Sequence, residues 1–181
     1  MMTTKFDYNI PEELFKIIEE EFSGAKIAEK YLESKDGSVF EEWGKNLMEK
    51  TYELGTKPEY NDHMYDLIKL SAEKTGEITF PHEAQRFIEI VCLSIHLMGV
   101  VLIQTANIKE LSFSIVKGTC SIHNKLKESL SEEELKSLPC KSGCLTTWKT
   151  IFNILKMDDV EVSQTQEIPC DGMCTFLAQK K

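Results

Sequence analysis

The stretch from Gly99 to Cys120, GVVLIQTANIKELSFSIVKGTC, decides the fold class. Val100 to Thr105 is a short apolar run suited to a buried strand, and Asn107 to Glu110 carries turn chemistry. Leu111, Phe113 and Ile115 then alternate with Ser112 and Ser114, the period of a half-buried strand. Two such runs joined by a short polar turn read as a β-hairpin. Upstream of Gly99 the chain has helical periodicity; downstream it mixes strands and helices.

Working upstream, Pro11 suits the first turn of a helix in which Leu14, Ile17, Ile18 and Phe22 recur at helical spacing. A second helix is expected from Ala25 to Ser34. A third starts at a Ser38/Glu41 capping box, carries Phe40, Trp43, Leu47 and Tyr52, and stops with Gly55 in the left-handed conformation. A fourth covers Tyr60 to Lys74, and a fifth, apolar almost all round, runs from Pro81 to Met98 as a buried central helix.

Working downstream, a polar helical segment with a Ser131/Glu134 capping box is broken by Pro139. An amphipathic helix follows from Leu145 to Leu155, with Trp148, Ile151, Phe152 and Leu155 inward. Val160 to Ile168 and Met173 to Gln179 form a second hairpin around Pro169–Gly172. The expectation is one α+β domain: a helical N-terminal half (1–98) packed on a four-stranded antiparallel sheet of two β-hairpins, with a helix in the C-terminal half (99–181). Trp43, Trp148, Phe113 and Phe152 read as core, or as the lining of an apolar pocket between helices and sheet.

The composition limits the function classes. The 181 residues carry 21 basic and 30 acidic side chains, a net charge of −9, which repels phosphate backbones and anionic membranes. Nucleic acid and membrane are therefore excluded as partners. Met1 to Asn9 lacks a signal peptide's apolar run, and Ile88 to Ile103 is too short and interrupted to span a bilayer. A cytoplasmic protein is expected, in which six cysteines point to metal, redox or core roles before disulfides. G-x-G-x-x-G, phosphate-loop, G-x-S-x-G and H-E-x-x-H motifs do not occur.

Two C-x-x-x-C pairs, Cys140/Cys144 and Cys170/Cys174, join Cys120 with His123 as candidate metal ligands. The strand after the Leu145–Leu155 helix runs back antiparallel to it, so the turn carrying Cys170 and Cys174 returns to the helix start beside Cys140 and Cys144. Strand order decides whether Cys120 joins them. A helix N-terminus favours thiolate, the form that binds metals or attacks electrophiles. Four thiolates suit Zn²⁺, and thiolate-rich sites also suit an iron–sulfur cluster. The competing readings are buried structural thiols, which is how Cys92 reads, or a Cys140–Cys170-type disulfide. His96 reads as a core residue, and His63 and His82 as surface or capping residues.

Three runs, GVVLIQTANIKELSFSIVKGTC (99–120), CKSGCLTTWKTIFNIL (140–155) and VEVSQTQEIPCDGMCTFLAQ (160–179), resemble two related families. These are the L-2-amino-thiazoline-4-carboxylic acid hydrolase-like family and the 4-vinyl-reductase-like small-molecule-binding domain. The final motif reads Cys170, Gly172, Cys174, Phe176, with the cysteines one residue closer than in many members. The resemblance covers 99–179 and implies a helix-plus-sheet pocket for small, often apolar molecules, with cysteines that hold a metal. Hydrolase activity does not carry over, because no catalytic residue matches. The leading expectation is a small-molecule-binding or sensing domain with a cysteine-ligated metal, compatible with a homodimer. The alternatives are a hydrolase or redox enzyme with a low-pKa cysteine, and a scaffold without a site.

Overall fold

The computed structural model describes residues 12–57, 94, 99–107 and 109–181. Within them the chain is α+β, with helices in the N-terminal half and a four-stranded antiparallel sheet in the C-terminal half. The described elements are α1 (Glu12–Phe22), α2 (Gly24–Ser34), α3 (Ser38–Gly55), β1 (Val101–Ala106), β2 (Glu110–Val116), α4 (Ser121–Lys127), α5 (Glu132–Lys136), α6 (Cys140–Ile154), β3 (Val160–Gln166), α7 (Ile168–Asp171) and β4 (Met173–Lys180). The helices expected over 60–74 and 81–98, with His63, His82, Cys92 and His96, lie outside the described residues, apart from a buried, helical Ser94. No helix among the described residues is long and apolar enough to cross a membrane.

Leu14 and Ile18 bury the inner face of α1, and Ile27 and Ala28 that of α2. Trp43 Nε1–H donates to the Phe22 carbonyl at 3.0 Å, satisfying an orphan acceptor at the end of α1 and tying α3 to it. The expected Ser38/Glu41 capping box does not form. Ser38 is already helical, and its N–H is taken by Asp36 Oδ1 at 2.9 Å. Gly55 does not terminate α3 in the left-handed region either; the helix ends at Thr56 with φ −96°. The Ser131/Glu134 capping box forms in full, with both reciprocal bonds present.

The two hairpins join as β1-β2-β4-β3, so β4 is central and pairs with β2 and β3. Phe113 of β2 stacks on Trp148 of α6 with ring centroids 4.1 Å apart, and on Phe176 of β4 at 5.2 Å. This aromatic column fixes α6 to one face of the sheet. On the other side of α6 lies α3, and the two approach closely because both carry glycine at the crossing. A Cβ on Gly44 would lie 2.1 Å from the Gly143 carbonyl oxygen, and one on Gly143 would lie 2.6 Å from that of Phe40.

Two expectations about the strands are corrected. β1 is an edge strand rather than a buried one: Val100, just before it, and Leu102 within it are exposed. β2 is buried on both faces, since Ser112 and Ser114 are buried alongside Phe113 and Ile115. Ser114 is accommodated by a chain of hydrogen bonds across all four strands. Gln104 Nε2 donates to Ser114 Oγ at 2.7 Å, Ser114 Oγ lies 2.8 Å from Thr175 Oγ1, and Thr175 donates to Gln166 Oε1 at 2.6 Å. Because the Thr175 hydrogen is committed to Gln166, the Ser114 hydroxyl is the donor in the middle link. A register irregularity at Thr165 pairs Gln164 with Phe176 but Gln166 with Thr175. It sends two glutamines that regular alternation would place together to opposite faces.

Two stability outcomes follow from this packing. Gly44→Ala should lower stability by about 1–3 kcal/mol through overpacking, despite alanine's better helix propensity. Thr175→Val should cost a similar ~1–3 kcal/mol, because it strands the buried Ser114 donor and the Gln166 acceptor. Urea melts of each variant check both. An unchanged midpoint for Gly44→Ala would show that α3 and α6 can part without cost.

Candidate functional site

Four cysteines reach one cavity from three parts of the fold. Cys140 and Cys144 stand one helical turn apart on the same face of α6. The helix begins at Cys140 rather than at Leu145, so Cys144 occupies its second turn and not its first. Pro139, expected only as a breaker, is the N-cap. Cys174 lies on β4 opposite Ile115 of β2. Beyond β2 the chain turns through 117–119 into Cys120, the N-cap of α4, whose sulfur accepts the His123 N–H at 3.5 Å. The strand order therefore settles the membership of Cys120: β2 beside β4 brings it to Cys174.

All four sulfur-bearing residues line a cavity of about 40 Å³, room for roughly three waters. Its walls include Ile115, Ile168 and Phe176, with His123 and Gln164 as further polar members. The mouth carries Lys136 and an ion pair from Lys141 Nζ to Glu167 Oε1 at 2.9 Å. Cys170 does not join. It sits exposed on α7, which the left-handed Gly172 (φ 77°) closes before β4 begins. The expected Cys170/Cys174 pair is thus split, because the residues between them form a helical turn. All five described cysteines are free, so no Cys140–Cys170 disulfide is present.

The surroundings keep these groups neutral. Burial, then the neighbouring Cys120, Cys174 and Glu167, pushes the Cys140 thiol up to about 12. Burial pushes Cys174 up to about 11, opposed by hydrogen bonding from Ile168 and Gln164. Cys144 and Cys120 are raised chiefly by burial too, and Cys144 also by the other three sulfurs. Burial, with the charges of Lys117 and Lys127, lowers His123 and favours neutral imidazole. The helix start does not overcome desolvation, so the low-pKa thiolate expected there is absent from this cavity.

The donor set matches a thiophilic cation: sulfurs that repel one another when ionised, a neutral imidazole and an apolar wall. Among the described residues, no three His, Cys, Asp or Glu side chains already stand in chelating positions. An ion would have to draw the sulfurs inward across the cavity.

The raised thiols have a consequence for stability. A group whose pKa is raised on folding contributes stability that is complete below its unfolded value and is lost as pH climbs through its folded value. Without a bound cation, the chain should lose stability from about pH 9, where the thiols of the unfolded chain ionise and those of the fold stay neutral, with the loss continuing until Cys174 and Cys140 ionise in the fold at about 11 and about 12. Urea midpoints between pH 8 and 11 measure this. Cys140→Ser should flatten the profile, and an identical slope in that variant would refute the assignment.

Comparisons with protein-family models, with curated proteins and with solved structures find no match for this chain.

Proposed function

We propose that this protein is a small-molecule-binding or sensing domain whose pocket holds a soft metal ion through Cys120, Cys140, Cys144 and Cys174. The observation that carries the reading is the convergence of four thiols, from α6, β4 and the α4 cap, on one small cavity. Cysteine is a common core residue, but core packing alone gives no reason for four to share one space. Four adjacent thiols in an apolar pocket gain most from a cation, which replaces their mutual repulsion with attraction and releases their protons. Zinc fits such a set without redox chemistry; an iron–sulfur cluster is the electron-transferring alternative.

The apolar residues around the sulfurs support the small-molecule half of the reading. The resemblance of residues 99–179 to small-molecule-binding domains points the same way. With no described helix able to cross a membrane, a cytoplasmic location belongs to the same proposal. The upward shift of the cavity thiols counts against a free cysteine nucleophile, which needs a depressed pKa.

Metal analysis of protein purified without oxygen, with an ultraviolet–visible spectrum, tests this. The expected result is about one zinc per chain and no colour. Cys144→Ser should lower metal content and melting temperature together, while Cys170→Ser changes neither. A brown protein absorbing in the visible would assign the cluster form. A chain that retains no metal, and whose melting is unmoved by added zinc, is not the protein described here.

A further inference from the structure

Among the described residues, two buried side-chain atoms, His123 Nδ1 and Gln164 Oε1, have no hydrogen-bond partner in the protein. Native folds leave few such atoms, and each asks for an explanation. His123 comes from α4 and Gln164 from β3, and both line the thiol cavity. His123 is 6% exposed, so bulk water does not serve it. Gln164 cannot satisfy its oxygen by turning over. Its Nε2–H donates to the Gln166 carbonyl at 3.0 Å, and exchanging the amide atoms would set two acceptors face to face.

These two atoms define what an occupant must offer. Gln164 Oε1 only accepts, so the occupant carries an N–H or O–H. Burial keeps the His123 ring neutral, and Nδ1 then donates or accepts according to the tautomer. A group with both a donor and an acceptor meets either case. Charged groups fit poorly. The apolar walls at Ile115, Ile168 and Phe176 penalise any ion, and Lys136 at the mouth repels an ammonium. A carboxylate has no hydrogen to give Gln164. The cavity of about 40 Å³ takes about as many non-hydrogen atoms as it takes waters, roughly three. A primary carboxamide is a carbon, an oxygen and a nitrogen, with N–H donors and a carbonyl acceptor. A hydroxyl meets the same hydrogen-bond demand but leaves most of the space unfilled.

We propose that, in the metal-free chain, this cavity binds the primary carboxamide head of a small uncharged molecule, with one N–H donated to Gln164 Oε1 and His123 Nδ1 bonded to the same head. The apolar remainder of the molecule leads out through the mouth. This inference rests on the small-molecule half of the proposed function and not on the ion. The space does not hold an ion and a carboxamide together, so the two exclude each other. The register irregularity at Thr165 is what gives Gln164 its place at the cavity.

The test uses the full chain, stripped of metal by a chelator and kept reduced, with propionamide as the probe and butanone as its match. Butanone carries a methyl group where propionamide carries its amino group, so the shape is kept and the donors are lost. Backbone amide resonances report binding. The expected result is a saturable shift at Ile115, His123, Gln164 and Ile168 with propionamide, and binding of butanone at least about fivefold weaker, the worth of one hydrogen bond. Gln164→Leu should erase that preference. Equal affinity for the two probes, or no saturable shift with either, overturns the inference and leaves both atoms to water. The comparison of probes needs no mutation, so it decides the matter even where the variant fails to fold. A chain that prefers propionamide but retains no zinc loses the soft-metal reading alone. A chain that retains zinc but, once stripped, shows no preference loses this inference alone.

Discussion

The contact of Gly44 on α3 with Gly143 on α6 is the constraint on which the site depends. Backbone meets backbone there, with no room for even one methyl group between. That closeness lets α3 bury Phe40, Trp43 and Leu47 beside the same helix that presses Trp148 against the sheet. Gly143 sits between Cys140 and Cys144, so the glycine that sets the helix crossing also sets the two sulfurs in the cavity. The segment CKSGC thus sets the helix crossing and places two sulfurs in the cavity at once. Side chains that face α3 and side chains that face the cavity alternate within a single turn.

Electrostatically, the cavity pulls in two directions. Burial protects apolar surface but raises the thiols, and each sulfur's potential charge opposes ionisation of its neighbours. Without a cation, these surroundings favour the neutral thiols. A cation inverts the balance, because its charge at close range outweighs desolvation that is already complete. The Lys141–Glu167 pair at the mouth adds little energy of its own, being exposed. It does bridge the first turn of α6 to the segment leading into α7, across the approach to the sulfurs.

Much of this was legible in the sequence, for physical reasons. Alternation in 111–115 reports a strand because one face is apolar, and the antiparallel return of β3 and β4 brings Cys174 to Cys140 and Cys144 by chain geometry alone. What was hidden depends on partners distant in sequence. Ser114 looks solvent-facing until Gln104 and Thr175 supply its hydrogen bonds. Cys170 and Cys174 look like a pair until the α7 turn and Gly172 separate them. Asp36 displaces Ser38 as the first-turn acceptor, a competition between neighbouring caps that composition does not rank. Gln164 had no signal at all, because its placement rests on a register irregularity, and a glutamine in a strand reads as solvent-facing.

The polar chain on one face of the sheet and the thiol cavity on the other share a single strand. Cys174 and Thr175 are consecutive on β4, so they point to opposite faces. A slip of one residue in the pairing of β4 would exchange them, putting a hydroxyl among the thiols and a sulfur into the hydrogen-bond chain. Hydrophobic burial resists that slip only in part, since Ser112 and Ser114 bury the second face almost as fully as Phe113 and Ile115 bury the first. The directional chain Gln104, Ser114, Thr175, Gln166 supplies what burial lacks, because only one register satisfies every member. The hydroxyls that sequence reading assigns to solvent thus hold Cys174 at the cavity.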